Sequence, residues 1–232
     1  MNISIIIFCY NEEGNIASVL NEAAKMLSLF AKHYEIIVVD DGSSDSTFST
    51  CQAIATQNPS IKLIRHPQNL GIGMALRSGY QNASSEYVCA IPGDGQFNIT
   101  ELTQVRPFDN SIYYSFYRLE TNYSWYRSIL TWFNRFFNQH MLAIYLRDVN
   151  WIKVYRKEQL ELVDPQLKSS LIESEICAKL YKLKILPIEI PSQYHLRAYG
   201  DSKGGNWNTL SKAALETIKL WWLVTFHKNK VQ

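Results

Sequence analysis

The stretch Glu35-Ile36-Ile37-Val38-Val39-Asp40-Asp41-Gly42-Ser43-Ser44-Asp45 decides the fold. Consecutive β-branched apolar residues are the mark of a strand buried on both faces. The run stops abruptly in acidic and turn-forming residues, and helix formers follow to about Gln57. Upstream, Ile3–Cys9 is another continuous apolar run, and Glu13–Phe30 carries apolar residues at helical spacing. Downstream come a strand at Ile61–Arg65, a helix at Gly71–Asn82 and a strand at Tyr87–Ile91, which ends at Pro92-Gly93-Asp94-Gly95. Short buried strands alternating with amphipathic helices predict parallel βαβ units and an open α/β sheet. Ligands of such sheets sit outside the carboxyl ends of the strands. Those ends carry Asn11-Glu12, Asp40-Asp41 and Asp94.

The second half is less regular. Strands are expected at Ser111–Tyr117, Trp151–Tyr155 and Ile185–Ile190, with a long helix at Trp125–Leu146 and a terminal helix at Asn206–Phe226. No repeat or linker divides the 232 residues, so one unit over 1–232 is expected: a front half to 104, a second part over 105–205 and the terminal helix over 206–232. With 47% hydrophobic and 19% charged residues the chain can bury a sizeable core, and wholesale disorder is excluded. The four cysteines are scattered, without a CxxC or Cys/His cluster, which argues against structural zinc and a disulfide framework and suits a reduced compartment. No apolar run approaches the roughly 18 residues of a membrane span, and Ile3–Tyr10 lacks a preceding positive region, so it reads as a strand rather than a leader.

Charge is unevenly spread. Residues 1–104 hold 5 Lys and Arg against 10 Asp and Glu; residues 105–232 hold 18 against 11. An acidic front suits a metal cation, and a basic, aromatic back suits phosphate or an anionic membrane surface. The turn Asp40–Asp45 can accept hydrogen bonds from a nucleobase or ribose, or can be a plain strand-to-helix turn with Ser44 or Asp45 capping the helix. Pro92-Gly93-Asp94-Gly95-Gln96 can bring one carboxylate and a neutral oxygen to Mg²⁺, which takes few protein carboxylates and completes its shell with phosphates and water. It can equally be an ordinary turn. Asn69-Leu70-Gly71-Ile72-Gly73 opens a helix, but the third glycine of a dinucleotide fingerprint is replaced by Leu76, so that signal is weak.

Taken in order, these pieces resemble the family 2 inverting glycosyltransferases of GT-A fold, and within them the polyprenyl-phosphate (dolichyl-phosphate) mannosyltransferase-like group. The carrying residues are Tyr10-Asn11-Glu12, Val39–Asp45, Asn69–Gly79, Gly93–Gln96, Asp148-Val149-Asn150, and Arg197 with Gly200, Ser202 and Lys203. The resemblance implies a Rossmann-like, mostly parallel sheet flanked by helices. It also implies a UDP- or GDP-sugar donor, a divalent metal (Mg²⁺ or Mn²⁺) and an acceptor that is a lipid phosphate at the cytoplasmic membrane face. No nucleic-acid partner is expected. By the same resemblance Glu12, Asp40 and Asp41 would face the nucleoside, with Tyr10, Gln96 and Arg118 completing the donor site. Asp94 would hold the metal with Gln96 beside it, and Asp94, Arg127, Arg197 and Lys203 would carry catalysis at the phosphates. The chain departs from the pattern at Phe8, where the family usually has Pro, and at Pro92, which replaces the first acid of an Asp-x-Asp motif. It departs again at Trp151-Ile152-Lys153, where a glycine usually follows the Asp148 motif.

Two chemical expectations accompany this. A phosphate monoester acceptor, with a second pKa near 6, is already ionised at neutral pH and needs no strong base. A hydroxyl acceptor would need one, and Asp148, Glu173 and Glu175 are the candidates, although Glu175 also reads as part of a solvated helix face. Trp125, Trp132, Phe133, Phe136 and their neighbours give the long helix a broad aromatic face with basic flanks, which fits either an interfacial helix or a core helix. Leu220-Trp221-Trp222-Leu223 is a candidate second anchor.

Overall fold

The computed structural model describes residues 1–119, 138–197, 199, 216–217 and 219–225. Strands β1 (Asn2–Cys9), β2 (His33–Asp40), β3 (Ile61–Arg65) and β4 (Tyr87–Pro92) alternate with helices α1 (Ile16–Phe30), α2 (Thr47–Gln57) and α3 (Ile72–Asn82). A 3₁₀ turn (Ile99–Gln104), β5 (Ile112–Arg118), β6 (Lys153–Arg156), α4 (Lys157–Val163), α5 (Ile172–Lys182) and β7 (Leu186–Ser192) follow. They build one seven-stranded sheet in the order β3-β2-β1-β4-β6-β5-β7. Among the described strands β6 alone runs against the rest, pairing antiparallel with both β4 and β5.

The continuous apolar runs are explained by layers on both faces. Ile6, Ile37 and Val39 point towards α3 and α5, into a core shared with Leu76, Tyr80, Ile176 and Leu180. Ile5, Ile7, Ile36 and Val38 point the other way, onto Ile16, Leu20 and Leu27 of α1. Neighbouring residues of a strand face opposite sides, so Ile3–Ile7 and Glu35–Asp40 are buried at every position. Gly79 of α3 lets the helix lie directly on β1, because a side-chain carbon there would stand 2.3 Å from Ile6.

The strand expected at Trp151–Tyr155 begins only at Lys153. The chain from Val149 to Trp151 wraps around the buried Lys153 ammonium, which donates to the carbonyls of Val149 (2.7 Å) and Trp151 (3.1 Å). The long helix expected to reach Leu146 falls largely outside the described residues, as do Arg127, Trp132 and Phe136. Its described end stops by Met141, and Ala143 takes a left-handed φ of 54°. Residues 219–225 are helical; Leu220 and Leu223 face the core, whereas Trp222 is 55% exposed and Trp221 36%. No helix of the described residues is long and apolar enough to cross a membrane.

Candidate functional site

The carboxyl ends of β1, β2 and β4 come together, and their loops are stitched to one another. Asn11, with a left-handed φ of 52°, donates its N–H to Ser43 Oγ (2.9 Å) and accepts from the Ser44 N–H (2.9 Å). The Glu12 N–H donates to Thr47 Oγ1 (2.7 Å), and the Ser46 N–H donates to Glu13 (3.0 Å). Asp45 accepts from the N–H of Thr47, the first residue of α2, at 3.0 Å, while the N-cap position itself is Ser46. The serines and Asp45 of the acidic turn are therefore scaffold. Gly42, at φ 72°, is required because a side chain there would meet the Gln68 backbone at 2.4 Å.

The two acids at the head of that turn part company. Asp40 is fully buried, accepts from the Ser43 N–H (3.2 Å) and pairs with Arg65 at 3.3 Å; it stands behind the loop and lines neither cavity described below. Asp41 accepts from the N–H groups of Leu70 (2.9 Å) and Gly71 (2.8 Å) and shares a 2.7 Å hydrogen bond with His66 Nδ1. It thus fixes the loop that opens α3 while reaching a cavity wall.

Two adjoining cavities open here. One is lined by Tyr10, Glu12, Asp41, Asn69 and Gly71; the other by Gln96, Arg118, Asn150, Lys153, Ser170 and Glu173 together with apolar Leu76, Ala90 and Ile152. Asp94 and Arg197 belong to both. At that junction Arg197 donates to Glu12 Oε1 (3.1 Å) and to Asp94 Oδ2 (2.7 Å). Burial raises the Asp94 pKa from its ordinary value, against the opposing pull of the Gln96 N–H and of Arg197. The segment bearing Arg197 is strapped across the strand ends: the His195 N–H donates to the Gln96 carbonyl (3.1 Å), and Asn15 donates to the Tyr199 carbonyl (3.1 Å).

Gln96 spends an amide N–H on the Tyr194 hydroxyl. Arg118 lies along the second cavity, bidentate to Asp148 (2.7 and 3.1 Å) and 4.8 Å from the centre of the Trp151 ring. Lys203, Ser202 and Gly200 lie outside the described residues, as does Arg127. Of the three candidate bases, Asp148 is tied to Arg118. Glu175 is wholly buried rather than solvated, accepting from the Gln166 and Leu167 N–H groups and from Lys179 (2.6 Å). Of the three, Glu173 is the one that lines either of these two cavities. His66, which holds Asp41, drew no notice in the sequence, because a single histidine after a strand carries no spacing signal.

Among the described residues no three His, Cys, Asp or Glu side chains cluster as a metal site. The donor chemistry still fits a hard divalent cation: Asp94 offers an anionic oxygen where the cavities meet, and such cations draw their remaining ligands from phosphates and water.

The model of the family "Glycosyl transferase family 2" matches residues 4–151 of this chain. The chain belongs to that family. It is 28% identical over 215 residues to the dolichol-phosphate mannosyltransferase of Pyrococcus furiosus, covering 88% of this chain and 59% of that protein. It is 32% identical over 117 residues to the dolichyl-phosphate beta-glucosyltransferase of Dictyostelium discoideum, covering 47% of this chain and 36% of that protein. This family 2 chain therefore spans only part of the length of the relatives it matches. In fold it is similar to glucosyl-3-phosphoglycerate synthase from Mycobacterium tuberculosis, solved with Mn²⁺, uridine diphosphate and glucosyl-3-phosphoglycerate: TM-score 0.67, 16% identity, 99% of this chain and 81% of that one. The expected GT-A fold, with its mostly parallel sheet, is present.

Proposed function

We propose that the chain transfers a hexosyl group, with inversion, from a UDP- or GDP-linked sugar to a polyprenyl phosphate at the cytoplasmic face of a membrane. The observation that carries this reading is the pair of cavities joined at Asp94 and Arg197. Tyr10, Glu12 and Asp41 take the nucleoside in the first cavity, with Asp40 holding their turn from behind. The diphosphate lies at the junction, facing Arg197 and Asp94, and the sugar enters the second cavity beside Gln96 and Arg118. An acceptor phosphate oxygen attacks the anomeric carbon as the bond to the diphosphate breaks, so the nucleoside diphosphate leaves with the bonding electrons. A divalent cation on Asp94 and Gln96 would supply charge neutralisation of that leaving group.

Arg197 then exchanges its carboxylate partners for phosphate, for which a planar guanidinium is well suited. Lys203 and Arg127 are assigned to the same phosphates from their places in the sequence. The names of the P. furiosus and D. discoideum relatives support a lipid phosphate acceptor, and exposed Trp221 and Trp222 support contact with a membrane surface. A second reading, transfer to a glycan hydroxyl, is favoured by one observation: Glu173 reaches the second cavity and could serve as base.

The test is a panel of UDP- and GDP-sugars, screened with Mg²⁺ or Mn²⁺ for thermal stabilisation and then for transfer to a short-chain prenyl phosphate. Metal-dependent stabilisation by one donor and transfer to the prenyl phosphate are expected. Stabilisation by none of them sinks the transferase reading. Transfer only to a soluble hydroxyl acceptor replaces the lipid phosphate with the second reading.

A further inference from the structure

Helix α5 buries two glutamates two residues apart, and they are treated differently. Glu175 is saturated by two backbone N–H groups and the Lys179 ammonium. Among the described residues Glu173 accepts from two phenols alone, Tyr80 of α3 and Tyr155 of β6, the latter at 2.7 Å. Among the described residues no cation pairs with it. Lys153, which lines the same cavity, has its ammonium committed to backbone carbonyls.

A carboxylate has about four acceptor positions, and the two phenols use two of them. A buried acid with no cation is costly, and its place in the first turn of α5 offsets only part of that cost. Such a group is poised to accept further O–H donors from whatever fills the cavity.

The cavity identifies the donors. On the proposed function, on which this inference rests, the diphosphate is anchored at Asp94 and Arg197, so a group bonded to it projects into the second cavity. Phe8, Leu76, Ala90 and Ile152 give that cavity walls that cannot read hydroxyls, and Asp94 and Glu173 are the acids that line it. We infer that Glu173 reads the hydroxyl groups of the sugar carried by the donor, held in place for this by Tyr80 and Tyr155. A carboxylate accepts from two adjacent hydroxyls at once, which distinguishes sugar epimers that differ in one of them.

The experiment is calorimetry of wild type and Glu173→Gln with UDP, GDP, UDP-glucose and GDP-mannose, each without acceptor, followed by turnover measurements. The expected result is a loss of at least tenfold in affinity for the preferred sugar nucleotide, with affinity for the matching nucleoside diphosphate unchanged within twofold. The latter affinity also reports that the variant is folded. Glu173→Asp, which withdraws the carboxylate by one methylene but keeps the charge, is expected to lose the same sugar-dependent increment should the amide variant not fold. Equal losses for nucleotide and sugar nucleotide, or none, overturn the assignment. So does a fall in turnover with donor affinity intact, which is the behaviour of a base. If wild type binds none of the four probes, the proposed function fails and this assignment with it.

Discussion

The two ends of the same sheet hold buried acids on opposite terms. At the amino end Glu35 accepts from the hydroxyls of Ser4 (2.6 Å) and Ser84 (2.7 Å), from the Ser84 N–H and from Lys62 (2.6 Å). Burial alone would raise its pKa, but these hydrogen bonds prevail and hold it at about 2. At the carboxyl end burial prevails for Asp94, and its pKa is raised despite Arg197. Glu35 is thus an acid whose ionisation supports the fold, whereas ionised Asp94 is held at a cost. An acid kept charged against its environment marks the end where a ligand supplies the missing compensation.

The sharpest way to break this contrast is Asp94→Asn. It should lower transfer on the order of 10³-fold, the scale of removing a key electrostatic group from an active site. Because the folded pKa is raised, ionisation of Asp94 at neutral pH opposes folding, and the neutral amide should leave the melting temperature unchanged or higher. A large drop in melting temperature would make Asp94 a structural acid like Glu35.

Glu35→Gln should do the reverse. A stability loss of about 2 kcal/mol at neutral pH, the scale of hydrogen bonds to a charged group, is expected in denaturant titrations, with turnover kept. The folded pKa lies below the unfolded value near 4.3, so the stabilisation is present above that value. It is lost as pH falls towards about 2, and the difference between variant and wild type should narrow over that range. A difference that does not vary with pH would break the assignment.

Asp41 stands between the two types, since it both ties Leu70 and Gly71 and faces the first cavity. Asp41→Ala should weaken nucleotide binding by about 1–3 kcal/mol and lower stability as well. Unchanged affinity would leave the acidic turn as scaffold only. The smallest effect belongs to exposed Trp222: Trp222→Glu should change stability by less than about 0.5 kcal/mol while reducing sedimentation with anionic vesicles. Undiminished sedimentation would remove that residue from the membrane contact.

Much of this arrangement was legible in the residues. Buried strands announce themselves as continuous apolar runs, and the Asp40–Asp45 and Pro92–Gln96 turns fall at their carboxyl ends, where a parallel sheet gathers ligands. What could not be read depends on tertiary partners. Whether Asp40 or Asp41 reaches a cavity turns on Arg65 and His66, which lie beyond the next strand's start. Glu173 and Glu175 are polar residues of a helix, and they are buried because α5 is enclosed on several faces, with Ile172–Leu180 all buried. Lys153 lies in the stretch expected as a strand, yet its buried ammonium organises the loop before β6. Local pattern carries the strand ends, and burial of charge is settled by distant chain.

The central claim is that the carboxyl end of the sheet holds a nucleoside diphosphate at Asp94. The most direct measurement is calorimetric titration of UDP and GDP, with and without Mn²⁺, into wild type and Asp94→Asn. The account predicts that one of the two nucleotides binds wild type more tightly with Mn²⁺ and that Asp94→Asn loses this gain. Binding of neither nucleotide to wild type, or a full Mn²⁺-dependent gain in Asp94→Asn, would contradict it.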